Sequence, residues 1–168
     1  MLNPFNFFKK QETINIATNS IESMQESAFK VCRKLTSHEL SNLQIKDYKY
    51  NTAEAVVELG LDEDMVRELL GDYVRQILRT ISQFDQYLEE LHSSQDRHLQ
   101  MDFTPFRELA HKNLGVARNL RIKDAEVLLG ELMKKDDLSY LLACIEALNV
   151  CAIKLDPKTA FEVLSTDS

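Results

Sequence analysis

Residues 62–92 read DEDMVRELLGDYVRQILRTISQFDQYLEELH, and the spacing of their apolar side chains decides the fold class. Asp62 suits a helix N-cap, and Glu63 and Asp64 place negative charge in the first turn. Apolar side chains then recur every three or four residues for about seven turns. They are Met65, Leu69, Tyr73, Ile77, Ile81, Phe84, Leu88 and Leu91. This stripe predicts one long amphipathic helix with a single buried face.

Shorter helical patterns follow the same rules on both sides of the long helix. We expect a helix over 52–59 that Gly60 ends, and another that opens at Thr104-Pro105, with proline at its first position. Further helices are expected over 123–134, from Asp136 or Asp137 to residue 154, and after Asp156-Pro157. Helices joined by short connections usually pack as antiparallel neighbours. The sequence therefore predicts an all-α fold, an antiparallel up-and-down four-helix bundle with a short terminal helix.

The first 47 residues are patterned differently from the rest. Residues 1–12 look like a lead-in, 13–36 carry apolar residues at helical spacing, and 37–50 lose that pattern. We therefore expect two parts, a partly helical N-terminal extension over 1–47 and the bundle over 48–168.

Composition excludes several classes of protein. The net charge of −7 argues against nucleic-acid binding, which needs a basic face. The three cysteines, Cys32, Cys144 and Cys151, form no CxxC pair, so we expect core thiols in a reducing compartment and no metal site. The N-terminus is a poor signal peptide, and no stretch reaches the roughly 20 apolar residues of a membrane span. A cytoplasmic protein that binds no membrane is expected.

His111 occupies an unusual position on the helix that starts at Thr104-Pro105. With 100° per residue and His111 at 0°, one apolar face covers roughly 140° to 260°. That face comprises Phe106, Leu109, Ala110, Asn113, Val116, Ala117 and Leu120. His111 points directly away from it, so we expect the imidazole to face solvent. A solvated histidine without function is the plainer alternative.

The neighbours of His111 favour a functional role. Gly115 lies one turn on and removes a side chain beside the imidazole, although glycine inside a helix costs about 1 kcal/mol against alanine. Arg107 and Arg118 bracket His111 on the same side. Five cations and one acid, Glu108, give residues 105–123 a net charge of +4. An exposed imidazole flanked by guanidinium groups suits a phosphoryl group, whereas ordinary solvated charge is the alternative.

The stretch ELAHKNLGVARNLRI at 108–122 resembles the signature of the histidine phosphotransfer (HPt) family, an alanine before the histidine followed by H-x-L-K-G-x-A. The resemblance extends over residues 48–155. It implies that His111 accepts a phosphoryl group from a receiver-domain aspartate and that Gly115 leaves room for the partner. The implied partners are a response-regulator receiver domain, a sensor histidine kinase, or both. The resemblance implies no cofactor on this chain, because the receiver supplies Mg²⁺.

Three positions depart from the HPt signature. Asn113 replaces an apolar residue and would cost about 1–3 kcal/mol if its amide were buried without a partner. Leu114 replaces the usual lysine, and Arg121 replaces the second glycine. Arg118, Arg107 or Lys112 could supply the missing cation, with Arg118 best placed. We expect an exposed Leu114 to join Gly115, Arg107 and Arg118 in the docking surface.

Three functions fit these observations. The first is a phosphoryl carrier of a two-component phosphorelay, an intermediate rather than a stand-alone catalyst. The second is a degenerate HPt-like module that binds a receiver or kinase without phosphotransfer. The third is a helical adaptor that dimerises through 13–36. The sequence leaves the oligomeric state and the direction of transfer open.

Overall fold

A computed structural model describes residues 20–45 and 49–166 of the chain. Within these ranges the protein forms seven helices and no strand, which confirms the predicted all-α class. The helices are α1 (Ile21–Ser37), α2 (Thr52–Leu59), α3 (Glu63–Asp96), α4 (Thr104–Asn119), α5 (Lys123–Lys134), α6 (Leu138–Leu155) and α7 (Pro157–Thr166). The predicted bounds of α2 and α5 agree with those observed. The first seven residues of the helix predicted over 13–36 lie outside the described residues.

Side-chain caps set where several helices begin. The Asp62 carboxylate accepts a hydrogen bond from the Met65 amide at 2.8 Å, as its sequence position predicts. Asp137 caps α6 in the same way, through the Tyr140 amide at 3.0 Å. Gly60 ends α2 in the left-handed region with φ of 67°, a conformation that favours glycine.

Helices α3 to α6 contact one another in cyclic order. Helix α3 packs against α4 and α6, and α5 packs against the same two helices. Helix α1 lies on α6 and α7, and its Met24, Ala28 and Leu35 are buried in the same core as the later helices. The apolar face of α1 formed by Met24, Ala28 and Leu35 therefore packs within the chain.

The apolar stripe predicted for α3 is wrong in its first two turns. Met65 and Leu69 are 47% and 37% exposed, whereas Val66 and Leu70 are buried. Steps of four residues advance about 40° around a helix, so a stripe built from them drifts off its face. With Ile77 at 0°, Val66 and Leu70 fall within about 20°, whereas Met65 falls about 120° away.

Helix α6 is apolar on all sides. Its 18 residues have a mean hydropathy of 1.6, and by length and composition they could cross a membrane. However, 78% of the helix is buried inside the protein, because α1, α3, α5 and α7 all pack against it. Cys144 and Cys151 lie on this helix as buried free thiols, as expected. The burial is typical of the central helix of a soluble protein.

Glu146 places a carboxyl group inside this apolar helix. Burial is the main reason that the pKa of Glu146 is raised to about 7; the charge of Lys34 opposes this shift and the charge of Glu39 adds to it. A carboxyl group whose pKa is higher in the folded than in the unfolded state binds more protons when folded. Its contribution therefore favours folding at low pH and is lost as the pH rises from the unfolded value to about 7.

We expect Glu146→Gln to remove this pH dependence, because glutamine imitates the protonated acid. The variant should be more stable than the wild type at pH 8, by on the order of 1–3 kcal/mol, and similar to it near pH 5. Urea denaturation at the two pH values measures the difference. Glu90→Gln, an exposed position on α3, is the control. Equal effects of the two variants at pH 8 would contradict the assignment.

Candidate functional site

Helix α4 carries the residues that the sequence singled out. The N-cap residue of α4 is Phe103, whose side chain cannot accept a hydrogen bond from the first turn. The carboxylate of the preceding residue, Asp102, accepts one from the Thr104 amide at 3.0 Å. Pro105 follows at the second helical position, one later than predicted, where its missing N–H costs nothing. Phe106, Ala110 and Ala117 anchor the buried face. This face fixes which side chains of α4 turn outward.

His111 lies near the middle of α4 and is exposed, as predicted. Its imidazole makes no hydrogen bond, ion pair or ring contact with the described part of the chain. Thr104, Arg107 and Glu108 join it around a wide, shallow depression of about 350 Å³. The His111 side chain therefore faces solvent at the edge of this depression.

Gly115 leaves the surface beside His111 open. A Cβ atom built on Gly115 would have nothing within 4 Å. Packing inside the protein therefore does not require glycine here. The absence of a side chain also leaves this part of the α4 surface open to an approaching molecule.

The two arginines predicted to flank His111 both have partners. The Arg107 guanidinium stacks over the Phe103 ring at 4.9 Å, and its buried Nε has no hydrogen-bond partner among the residues that the structure describes. Arg118 Nε lies 3.7 Å from Glu126 Oε1 on α5. Arg118 is exposed, so this ion pair is weak and exchangeable. Its charge is nevertheless partly offset in the free protein.

A basic groove runs along the other side of His111, between α3 and α4. It has a volume of about 550 Å³, and Arg75, Arg79 and Lys112 supply its positive charge. Arg75 pairs with Asp72 at 2.8 Å, whereas Arg79 and Lys112 form no ion pair within residues 20–45 and 49–166. Sequence reasoning missed the α3 arginines. Their spacing of four residues, which puts them on one helix face, was the available signal.

Leu114 does not have the predicted exposure. It is 4% exposed and belongs to the core. On the helical wheel it lies only about 40° beyond the apolar face, on the side where α5 packs against α4. Arg118, on the same side of α4, pairs with Glu126 of α5, so this side faces the neighbouring helix and the buried Leu114 is excluded from the docking surface.

Asn113 is buried, but its amide is satisfied. Its Nδ2 donates to the Leu109 carbonyl at 2.8 Å, and its Oδ1 accepts a long hydrogen bond from Gln76 at 3.5 Å. The amide thus links α4 to α3 beneath the basic groove. The expected cost of an unpaired amide does not arise.

Arg121 adopts a backbone conformation that favours glycine. Its φ is 61°, and its Nε donates to Glu58 Oε2 at 2.6 Å, which holds the turn after α4 against α2. A residue with a side chain pays roughly 1–2 kcal/mol for this conformation. This is the position where the HPt signature has its second glycine.

The described residues contain no cluster of three or more His, Cys, Asp or Glu side chains that could hold a metal ion. An imidazole with an open flank and nearby cations can act as a nucleophile toward a phosphoryl group. No carboxylate of the described residues forms a hydrogen bond or an ion pair with the imidazole. No protein-family model, curated protein or solved structure matches the chain.

Proposed function

We propose that this protein is a histidine-containing phosphotransfer protein, which carries a phosphoryl group on His111 between receiver-domain aspartates in a two-component phosphorelay. In this proposal α3 to α6 form an antiparallel four-helix bundle that displays His111 on its surface, in the cytoplasm. The observation that carries the proposal is an exposed imidazole in the middle of α4 that has no partner among residues 20–45 and 49–166.

The transfer step follows from the chemistry of the neutral imidazole. The lone pair of Nε2 attacks the phosphorus of the receiver's aspartyl phosphate, a P–N bond forms, and the acyl P–O bond breaks. The aspartate leaves as a carboxylate, and the imidazole proton stays on Nδ1 or passes to water. Phosphoryl transfer depends mainly on positioning and charge neutralisation, so the receiver's Mg²⁺ supplies much of the catalysis.

The missing lysine is replaced in this proposal by cations around His111. Lys112 and Arg79 approach from the basic groove and have no ion pair to break within the described structure. Arg107 borders the depression around the imidazole on the other side. Arg118 joins them when the incoming phosphoryl group competes with Glu126 for its guanidinium group.

The backbone conformation of Arg121 is a second observation that supports the resemblance. The HPt signature has a glycine at this position, and the backbone here takes the left-handed conformation that glycine adopts freely. The backbone at Arg121 is therefore compatible with the glycine of the signature, although the residue type differs. Its ion pair with Glu58 offsets part of the cost.

Transfer from a phosphorylated receiver tests the proposal. In the presence of Mg²⁺, the wild-type protein should acquire an acid-labile, alkali-stable label, and His111→Gln should acquire none. A panel of unrelated receiver domains stands in for the unknown partner. Label that persists in His111→Gln, or that never appears with any receiver, would remove the proposal.

Burial of Leu114 in place of a surface lysine favours one other function, a module that docks a receiver or kinase without transfer. Binding distinguishes the two. A docking module should bind an unphosphorylated receiver equally well in wild-type and His111→Ala forms and should acquire no label. A carrier should acquire label that depends on His111.

A further inference from the structure

A second cavity, separate from the His111 surface, opens where α3 begins and α6 ends. Its volume is about 430 Å³, within the usual range for small-molecule sites. Helices α1, α2, α3, α5 and α6 and the segment before α2 contribute its walls. None of its lining residues borders the His111 depression or the basic groove.

The walls of this cavity are largely apolar. Leu70 and Cys151 are buried at its inner side, and Leu155 lies beside them on the last turn of α6. Phe29 stands at the cavity with 49% of its surface exposed. An apolar ligand would cover the Phe29 ring and gain from removing it from water.

The charges around the cavity are mostly positive. Lys49, Arg67 and Lys154 line it, and the Lys154 ammonium lies 5.6 Å from the centre of the Phe29 ring. Arg67 also pairs with Glu63 at 2.8 Å, so Lys49 and Lys154 carry the charge that is available to a ligand.

Among the described residues that line the cavity, Asp124 is the single acidic one, and its carboxylate already accepts hydrogen bonds from within the protein. Its carboxylate accepts a hydrogen bond from the Ala125 amide at 2.9 Å, and the Cys151 thiol is hydrogen-bonded to it. Burial raises the pKa of Asp124, while the hydrogen bonds from Cys151 and Ala125 and the charge of Lys154 act in the opposite direction. The cavity thus combines an apolar interior with net positive charge.

From this combination we infer that the cavity binds a small amphipathic anion, with its apolar body against Phe29, Leu70 and Leu155 and its anionic head between Lys49 and Lys154. The inference is independent of phosphotransfer at His111. Carboxylate, sulfonate and phosphate heads share the required chemistry, and a medium-chain carboxylate is the simplest probe of it.

Isothermal titration of the full-length protein with sodium decanoate tests the inference, with decan-1-ol and decyltrimethylammonium as neutral and cationic probes. Decanoate should bind saturably. In NMR spectra of the protein it should also shift the amide resonances of Leu70 and Leu155. Lys49→Gln and Lys154→Gln should each weaken its binding by about tenfold, the loss of roughly one charge-assisted contact. Lys158→Gln, an exposed lysine outside the cavity, should leave it unchanged.

The other outcomes would overturn the inference. The inference fails if decanoate does not bind saturably, or if the lysine variants bind it as tightly as the wild type does. It also fails if the cationic probe binds at least as tightly as decanoate. Because Lys49 is exposed and Lys154 partly so, both variants should fold, and their thermal unfolding checks this.

Discussion

Replacing Phe106 with alanine is expected to lower the free energy of unfolding by about 3–5 kcal/mol. Phe106 is fully buried, and its ring meets that of Phe84 edge to face with a centroid distance of 5.3 Å. The substitution removes this aromatic pair and leaves a cavity between α3 and α4. These two helices hold His111 and the basic groove in register, so the variant should also lose transfer activity as it unfolds.

Phe29→Ala is the matched control for this change. The same atoms are removed, but Phe29 is half exposed, so the expected loss is about 1 kcal/mol or less. Urea denaturation monitored by circular dichroism measures both variants. A loss for Phe106→Ala no larger than that for Phe29→Ala would show that the described core packing is wrong.

Substitutions at Gly115 should stabilise the free protein and impair its proposed function. Because a Cβ atom here meets nothing, Gly115→Ala should raise the free energy of unfolding by about 0.5–1 kcal/mol through helix propensity alone. The added methyl group would occupy the space beside His111 that an incoming receiver needs. We expect roughly tenfold slower transfer for alanine, and slower still for Gly115→Gln.

Gly130→Ala provides the stability reference for this series. Gly130 lies inside α5 and also has open space around its Cβ position, so the same gain in stability is expected. If substitutions at position 115 raise the free energy of unfolding and yet slow transfer, the slower transfer has a steric cause and does not come from a folding defect. If Gly115→Gln transfers as fast as the wild type, the proposed clearance is contradicted.

Helix positions were largely predictable from the sequence because their signals are local. Asp62, Gly60 and Asp137 act within one turn of their own helices, so reading the neighbouring residues suffices. The orientation of His111 followed from six apolar residues and Asn113, which together define one face of the helix. Predictions failed where the apolar pattern was read too simply, as with the drifting stripe that placed Met65 and Leu69 on the buried face.

Contacts between helices were beyond this kind of reasoning. Leu114 is buried because α5 packs over that side of α4, and a helical wheel of α4 alone contains no information about α5. The basic groove arises for the same reason, since Arg79 and Lys112 are far apart in sequence and meet only when α3 packs on α4. The hydrogen bond that satisfies Asn113 likewise depends on Gln76 of the facing helix.

Locating the phosphoryl group by mass spectrometry tests the central claim most directly. After transfer from a phosphorylated receiver, with the sample kept alkaline to preserve phosphohistidine, one phosphoryl group should map to His111. His98→Asn should retain it, because His98 has φ of 55°, a backbone conformation that asparagine tolerates. Phosphoryl groups found on His98 or another residue in place of His111, or on none after exposure to the receiver panel, would contradict the account.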